Sequence, residues 1–234
     1  MAKYLEPKNV NLVVQRYEYR LVYGKFGRAK YISHLDFMRA MQRSIKRAGL
    51  PVWYTQGFNP HVYIMFPLAL PLGTDSRTEI MDIALTEELP FDEIKERLDA
   101  QLPYDMEIIS VGKPVHKHTE IKWAEYEIRF TSDKTPSQAK MLFENFMGRE
   151  TIEIEKRSKK KGVNMVDIKP HINVISSDNT DRETVVTLKL PAGNDFNLNA
   201  NVVMDAYFEL ENVKCDEICI ERTKIMLANG EKFT

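Results

Sequence analysis

Residues 17–51 read YEYRLVYGKFGRAKYISHLDFMRAMQRSIKRAGLP and hold the two periodicities on which the fold turns. From Tyr17 to Tyr23, tyrosines and Leu21 alternate with Glu18, Arg20 and Val22, the period of a strand with one buried face. Gly24 to Arg28 reads as a turn. Ser33 then stands where a helix N-cap belongs, and Asp36 completes a Ser-x-x-Asp variant of the capping box. Gly49-Leu50-Pro51 supplies the stop, so the spacing predicts a helix between these signals. On a wheel of about 100° per residue, Met38, Met41, Ile45 and Ala48 form one stripe and Arg39, Arg43, Lys46 and Arg47 another. The first should face a sheet and the second solvent.

Working outward, Val52-Trp53-Tyr54 is β-prone and runs into Gln56-Gly57-Phe58-Asn59-Pro60-His61, where Gly and Asn-Pro argue for a loop. Val62 to Leu72 is almost uncharged and punctuated by prolines. Glu79 to Leu85 alternates as a strand, Pro90 to Leu102 places Phe91, Ile94, Leu98 and Leu102 at helical spacing, and Met106 to Val111 is strand-like. After a linker at Pro114 to Thr119 a comparable order begins again. Trp123 to Phe130 reads as a strand, Ser137 to Met147 as a helix and Thr151 to Lys156 as a strand. Val166 to Ile175 and Thr184 to Leu190 read as a hairpin, Val202 to Leu210 as a helix, and Glu217 to Arg222 as a last strand. The expected fold is therefore α+β, with two tandem ferredoxin-like (βαββαβ) units with antiparallel sheets, spanning 16–115 and 119–228.

A chain of 234 residues with 43% hydrophobic and 29% charged residues is not a disordered or collagen-like polymer. No stretch reaches the roughly 18 to 20 apolar residues of a membrane-spanning helix, and the opening residues lack a leader pattern, so no membrane partner and a cytoplasmic setting are expected. Cys215 and Cys219 cannot build a disulfide scaffold, which agrees with that setting. The net charge of −1 predicts no polyanion partner by itself, but its distribution does. Arg16 to Gly49 carries nine Lys or Arg against two acids, a local +7, and Asp75 to Glu107 carries eleven acids against three bases, a local −8. If these segments occupy different faces, the molecule is electrically polarised. A second basic knot runs from Lys156 to Lys161.

Two histidine-bearing motifs carry the candidate chemistry. Ser33-His34-Leu35-Asp36 lies at a helix start, and the loop 56–61 follows the next strand. If both approach one cleft, His34, Asp36 and His61 become candidate catalytic groups for acid and base work on a phosphodiester beside the helix-end amides. Against this, His34 falls within the Met38 and Met41 stripe, which favours a partly buried structural role, and Asp36 suits a cap and a partner for Arg39. Arg39, Arg43, Lys46 and Arg47 have the spacing to follow a phosphate backbone, with Lys159, Lys160 and Lys161 as a second contact. Gln56, Phe58 and Asn59 would meet a base, and exposed Tyr54 and Phe58 would stack on unpaired ones. Metal and cofactor signals are weak, so neither is expected. Cys215-x-x-x-Cys219 lacks the third cysteine of a cluster site, His116-Lys117-His118 has no further ligand spacing, and no phosphate-loop, dinucleotide, serine-hydrolase or zinc-protease motif occurs.

Residues 30–85 closely resemble the bacterial radical-SAM-associated domains of unknown function. The resemblance rests on Ser33-His34-Leu35-Asp36, Arg39, Arg47-Ala48-Gly49-Leu50-Pro51, Gln56-Gly57-Phe58-Asn59-Pro60-His61, Leu70-Pro71-Leu72-Gly73, and Glu79 with Asp82. Gly162, Asp167-Ile168-Lys169-Pro170 and Arg222-Thr223 resemble that family's later motifs. The resemblance implies a partner, a cobalamin-binding radical-SAM protein fused to or encoded beside such domains, and brings no catalytic residues with it. In tandem ferredoxin-like architecture alone the chain is similar to CRISPR-type RNA-processing endoribonucleases, a fold-level analogy. The leading expectation is a non-catalytic RNA-binding accessory module that presents ribosomal or transfer RNA to a radical-SAM modifying enzyme. A metal-independent endoribonuclease using His34 and His61 is the alternative, and a protein-docking module acting through its acidic segment 75–107 is the third.

Overall fold

Alternation buries Tyr19, Leu21 and Tyr23 in β1 (Tyr17–Lys25), and a 3-10 turn over Gly27–Tyr31 leads into α1 (His34–Arg47). The computed structural model describes residues 15–158, 162–193 and 196–234. Ser33 caps α1 as expected: its hydroxyl accepts from the Asp36 N–H at 3.2 Å and donates to the Asp36 carboxylate at 2.8 Å. Gly49, at φ +63°, takes the left-handed position just past the helix that a side chain would strain. The core side of α1 is Phe37, Met41, Ser44 and Ile45, while Met38 and Ala48 are half-buried. Phe37 lies one turn before Met41, so its ring takes the core and rotates the expected stripe by one position. Ser44 satisfies its buried hydroxyl on the Gln101 carbonyl at 2.8 Å.

The chain continues through β2 (Ile64–Met65), β3 (Thr74–Leu85), α2 (Phe91–Asp99), β4 (Met106–Gly112), β5 (Ile121–Ser132), α3 (Pro136–Met147) and β6 (Glu153–Ser158). It then forms β7 (Gly162–Asp167), β8 (Asn173–Asn179), β9 (Thr184–Pro191), α4 (Ala200–Leu210) and β10 (Cys215–Leu227). The segment 166–175, expected as one strand, is divided. Val166 and Asp167 close β7, Pro170 sits in a 3-10 turn over Lys169–His171, and β8 begins at Asn173. Proline has no N–H to give a ladder, and β7 pairs with β6 in a ribbon outside the main sheet.

The main sheet runs β4-β1-β3-β10-β5-β9-β8, with β2 attached to β3. Within each half every pairing is antiparallel, and with the ribbon set aside the strand order is fourth-first-third-second in both. The two antiparallel sheets expected are nevertheless joined into one mixed sheet, because Thr74, Ser76 and the residue between them pair in parallel with Ile220–Arg222. The physical reason lies in β2. Pro67 and Pro71 interrupt the segment after it, and its two residues reach only Ile83 and Asp82. The start of β3 keeps a free edge, and β10 takes it. The result is an α+β fold with four α-helices and one large mixed sheet among the described residues. None of these helices is long and apolar enough to cross a membrane.

Two apolar clusters fill the halves. Tyr19, Leu21, Phe37, Met41, Ile45, Ile83, Ile94 and Leu98 form one, and Tyr126, Ile128, Phe143, Phe146, Leu188, Val203 and Tyr207 belong to the other. At their seam Arg222, 1% exposed, donates to both Glu79 oxygens at 3.0 Å, to the Tyr126 hydroxyl at 3.2 Å and to the Ala69 carbonyl at 3.0 Å. Burial, reinforced by the Glu79 charge, holds the Tyr23 phenol well above its usual range. A second buried pair, Arg20 and Asp82, is bidentate at 2.7 Å. The same guanidinium donates to the His116 and Thr234 main-chain oxygens and lies 4.4 Å from the Phe233 ring centre.

Removing one member of a buried ion pair leaves the other charge uncompensated, whereas removing both does not. Arg222→Met is expected to cost about 3–5 kcal/mol in chemical denaturation, and adding Glu79→Leu should recover part of that loss. Strictly additive losses would show the two side chains to be uncoupled.

Candidate nucleic-acid interface

Val52-Trp53-Tyr54 and Val62-Tyr63-Ile64 are mirror-image triplets around Phe58, and the chain folds them onto each other. Tyr54 bridges Val62, the Tyr63 N–H donates to the Trp53 carbonyl at 3.1 Å, and the Thr55 N–H donates to the His61 carbonyl at 2.8 Å. Residues 56–60 thus form the tip of a short hairpin. Gly57 sits at φ +145°, a backbone state nearly closed to other residues, with open space where a Cβ would point. The constraint there is conformational rather than steric, and it delivers Phe58 to the surface, where its ring is fully exposed.

Inside the tip the His61 Nδ1 lies 3.1 Å from the Asn59 carbonyl oxygen and 3.1 Å from the Thr55 hydroxyl. A carbonyl only accepts, so Nδ1 carries the hydrogen and Nε2 keeps its lone pair. That leaves an acceptor on exposed His61, at the base of the tip that carries Phe58. The Gln56 side chain folds back onto the Tyr54 carbonyl at 3.1 Å.

The hairpin meets α1 through Tyr54, whose ring centre is 5.5 Å from the Lys46 ammonium. Arg39, Arg43, Lys46 and Arg47 are all exposed, as the spacing requires. Arg39 lies 3.3 Å from Asp36, and Arg47 donates to Ser44 and to the Gln101 carbonyl at 2.9 Å, which ties the helix to the chain beyond α2. Arg43 and Lys46 have no acidic partner among the described residues. Across both strands of the hairpin the Arg16 guanidinium lies 5.3 Å from the Trp53 ring and 5.5 Å from that of Tyr63. The sequence reading did not single out Trp53 or Tyr63, and the mirrored triplets were the signal for both.

His34 departs from expectation. It is exposed, not partly buried, because at the first position of α1 its ring turns outward over the edge of Phe66 at 5.4 Å. Lys46, which Tyr54 covers, lies roughly 18 Å along the helix from it at 1.5 Å per residue. His34 and Asp36 therefore share the helix start, while His61 takes its partners within the hairpin tip. Lys159, Lys160 and Lys161 lie outside the described residues.

The electrical polarisation is also corrected. Arg20 pairs with Asp82, Lys30 with Asp75 and Arg28 with Asp105, so the basic and acidic segments face one another across β1 and β3. Eight of the eleven acids in 75–107 are held in ion pairs, with Glu87, Asp92 and Glu96 left over. The charge left unmatched is chiefly that of α1. Among the described residues no group of three or more His, Cys, Asp or Glu is arranged to hold a metal ion. Long-range nitrogen NMR is expected to report the Nδ1–H tautomer for His61 in the neutral ring, and a majority of Nε2–H would refute the tip geometry.

None of the curated proteins matches the chain. A crystal structure described as an unknown protein from Galdieria sulphuraria is similar at 11% identity over 89% of this chain and 99% of that one, with a TM-score of 0.25. Residues 18–200, which run from β1 to the start of α4 and include the whole helix–hairpin surface, match the family described as an uncharacterized protein conserved in bacteria (DUF2344), and the chain belongs to that family.

Proposed function

We propose that the protein is a non-catalytic RNA-binding module whose contact surface is the exposed side of α1 together with the adjoining hairpin tip. The observation that carries this reading is the joining of unmatched cations to exposed rings. Arg43 and Lys46 have no acidic partner among the described residues, and Tyr54 links Lys46 to a tip that presents Phe58. Phosphates need fixed cations, and unpaired bases need flat apolar faces with a hydrogen-bonding group nearby. Arg39, Arg43 and Lys46 supply the first, Phe58 the second, and Asn59 and His61 the third. Single-stranded ribosomal or transfer RNA is the class that fits.

The wider reading goes with it. The repeated fourth-first-third-second strand order supports two ferredoxin-like units, an architecture that recurs among RNA-handling proteins. The resemblance of residues 30–85 supports a role beside a radical-SAM modifying enzyme, to which the module would present its RNA. Two free thiols, Cys215 and Cys219, suit the cytoplasm.

Binding of a short unstructured RNA, followed by fluorescence anisotropy in EDTA at several salt concentrations, tests the surface. Reversing Arg39, Arg43 and Lys46 to glutamate is expected to abolish most of the affinity and flatten the salt slope by about two, three phosphate contacts being lost at roughly 0.7 each. Unchanged affinity and slope would dismiss the assignment. Phe58→Ala should weaken binding by about 1–3 kcal/mol with the slope preserved, since stacking releases no counterions. RNA cut to fragments of defined length in EDTA, and spared by His61→Ala, would instead make the protein a nuclease.

A further inference from the structure

A second surface is built from elements other than those of the helix–hairpin interface. Between the β6–β7 ribbon and the outer side of α4 lies a groove of about 630 Å³. Its apolar lining comes from Met165, Val202, Ala206 and Leu210, with the chain at Ile154 alongside, and four carboxylates stand around it: Glu153 and Glu155 on β6, Asp205 and Glu209 on α4. Strand and helix periodicity explain the placement. Residues 153 and 155 share one side of a strand, and 202, 205, 206 and 209 share one side of a helix. Met165 and Leu210 are large, exposed and apolar.

The four carboxylates differ from most acids of residues 75–107. Most acids of 75–107 are held in ion pairs, whereas none of these four has a cationic partner among the described residues. Partial burial pushes the Asp205 carboxyl up from its ordinary range, the direction expected for a negative charge facing apolar walls without a counter-charge. Asp205 loses hydration against those walls with no cation to offset the loss, and the apolar floor stays in water. A ligand that brings cations and apolar side chains together relieves both costs at once.

We propose that this groove docks a cationic amphipathic segment of a partner protein, its Lys or Arg side chains pairing with Glu153, Glu155, Asp205 and Glu209 and its apolar side chains seated on Met165, Val202 and Leu210. Within the groove itself the four carboxylates oppose a phosphate backbone. A second copy of this chain fits poorly, because the apolar side of its one strongly cationic helix, Phe37, Met41 and Ile45, is already buried in its own core. The proposal does not depend on RNA binding. An RNA-binding surface on one half and a protein-binding groove on the other would let the molecule hold two macromolecules at once.

The probe is a fluorescein-labelled synthetic helix with Lys on one side and Leu on the other, titrated into the full chain at low and moderate salt. Wild-type protein should bind it with a salt-sensitive affinity. The combined Glu153→Gln, Glu155→Gln, Asp205→Asn and Glu209→Gln variant should weaken binding by about tenfold or more and remove most of the salt dependence. Met165→Lys, a single exposed substitution that leaves the core intact, should weaken it as well. Glu87→Gln with Glu96→Gln, two acids outside the groove, should leave it unchanged. Equal affinity in the groove variants, or an equal loss in the Glu87 and Glu96 control, would overturn the proposal. So would wild-type dimerisation in light scattering that the peptide reverses, since the occupant would then be a second copy.

Discussion

The buried ion pair of Glu79 and Arg222 stands at the seam of the mixed sheet, beside Leu68 and Ile80, first-half side chains that pack into the apolar cluster of the second half. The parallel seam is only three residues long on each strand, too few ladder bonds to join the two halves by themselves. Arg222 adds to that packing by directing its guanidinium inward, to Glu79 on β3, Tyr126 on β5 and the Ala69 carbonyl before β3. Such a pair does more for specificity than for net stability. It fixes which residue of β10 stands opposite Ser76, and thereby the register in which the halves join.

Charge is used for the same purpose elsewhere. Arg20 ties β1, β3, the inter-half segment and the C-terminal residues around one guanidinium, and Lys30 and Arg28 pull the turn after β1 toward Asp75 and Asp105. Because so many cations of the first half are matched internally, the positive field that remains is narrow. It follows one side of α1 and ends at the hairpin, where the ring of Tyr54 rests against Lys46. In the RNA-binding reading proposed above, such a stripe would orient a flexible polyanion along the helix.

The helices and most strands were legible because caps and periodicity are local signals. Ser33 caps α1 as read, although the Asp36 carboxylate accepts from the Ser33 hydroxyl rather than the Ser33 N–H, so the reciprocal box forms only at α3, between Thr135 and Gln138. Three features were not legible, each because a distant partner decides it. Phe37 rather than Met38 faces the core because of the rings of Tyr23 and Phe66 that wait there. The joining of the sheets depends on how little of β3 the two residues of β2 cover. The charge balance of residues 16–49 could not be read from sums, since its acids arrive from 75–107. At the candidate site the exposed basic stripe and the loop were evident in the sequence, but their contact through Lys46 and Tyr54 was not.

β3 and β10 are far apart in synthesis. Glu79 precedes Arg222 by 143 residues, a delay on the order of ten seconds at translation rates of about 5–20 residues per second. During that interval the start of β3 is an open edge in a nascent chain, the kind of template that invites pairing with another molecule. A carboxylate beside such an edge opposes that pairing by charge and hydration. Until Arg222 is made, Glu79 is such a carboxylate, without the partner that neutralises it in the folded chain.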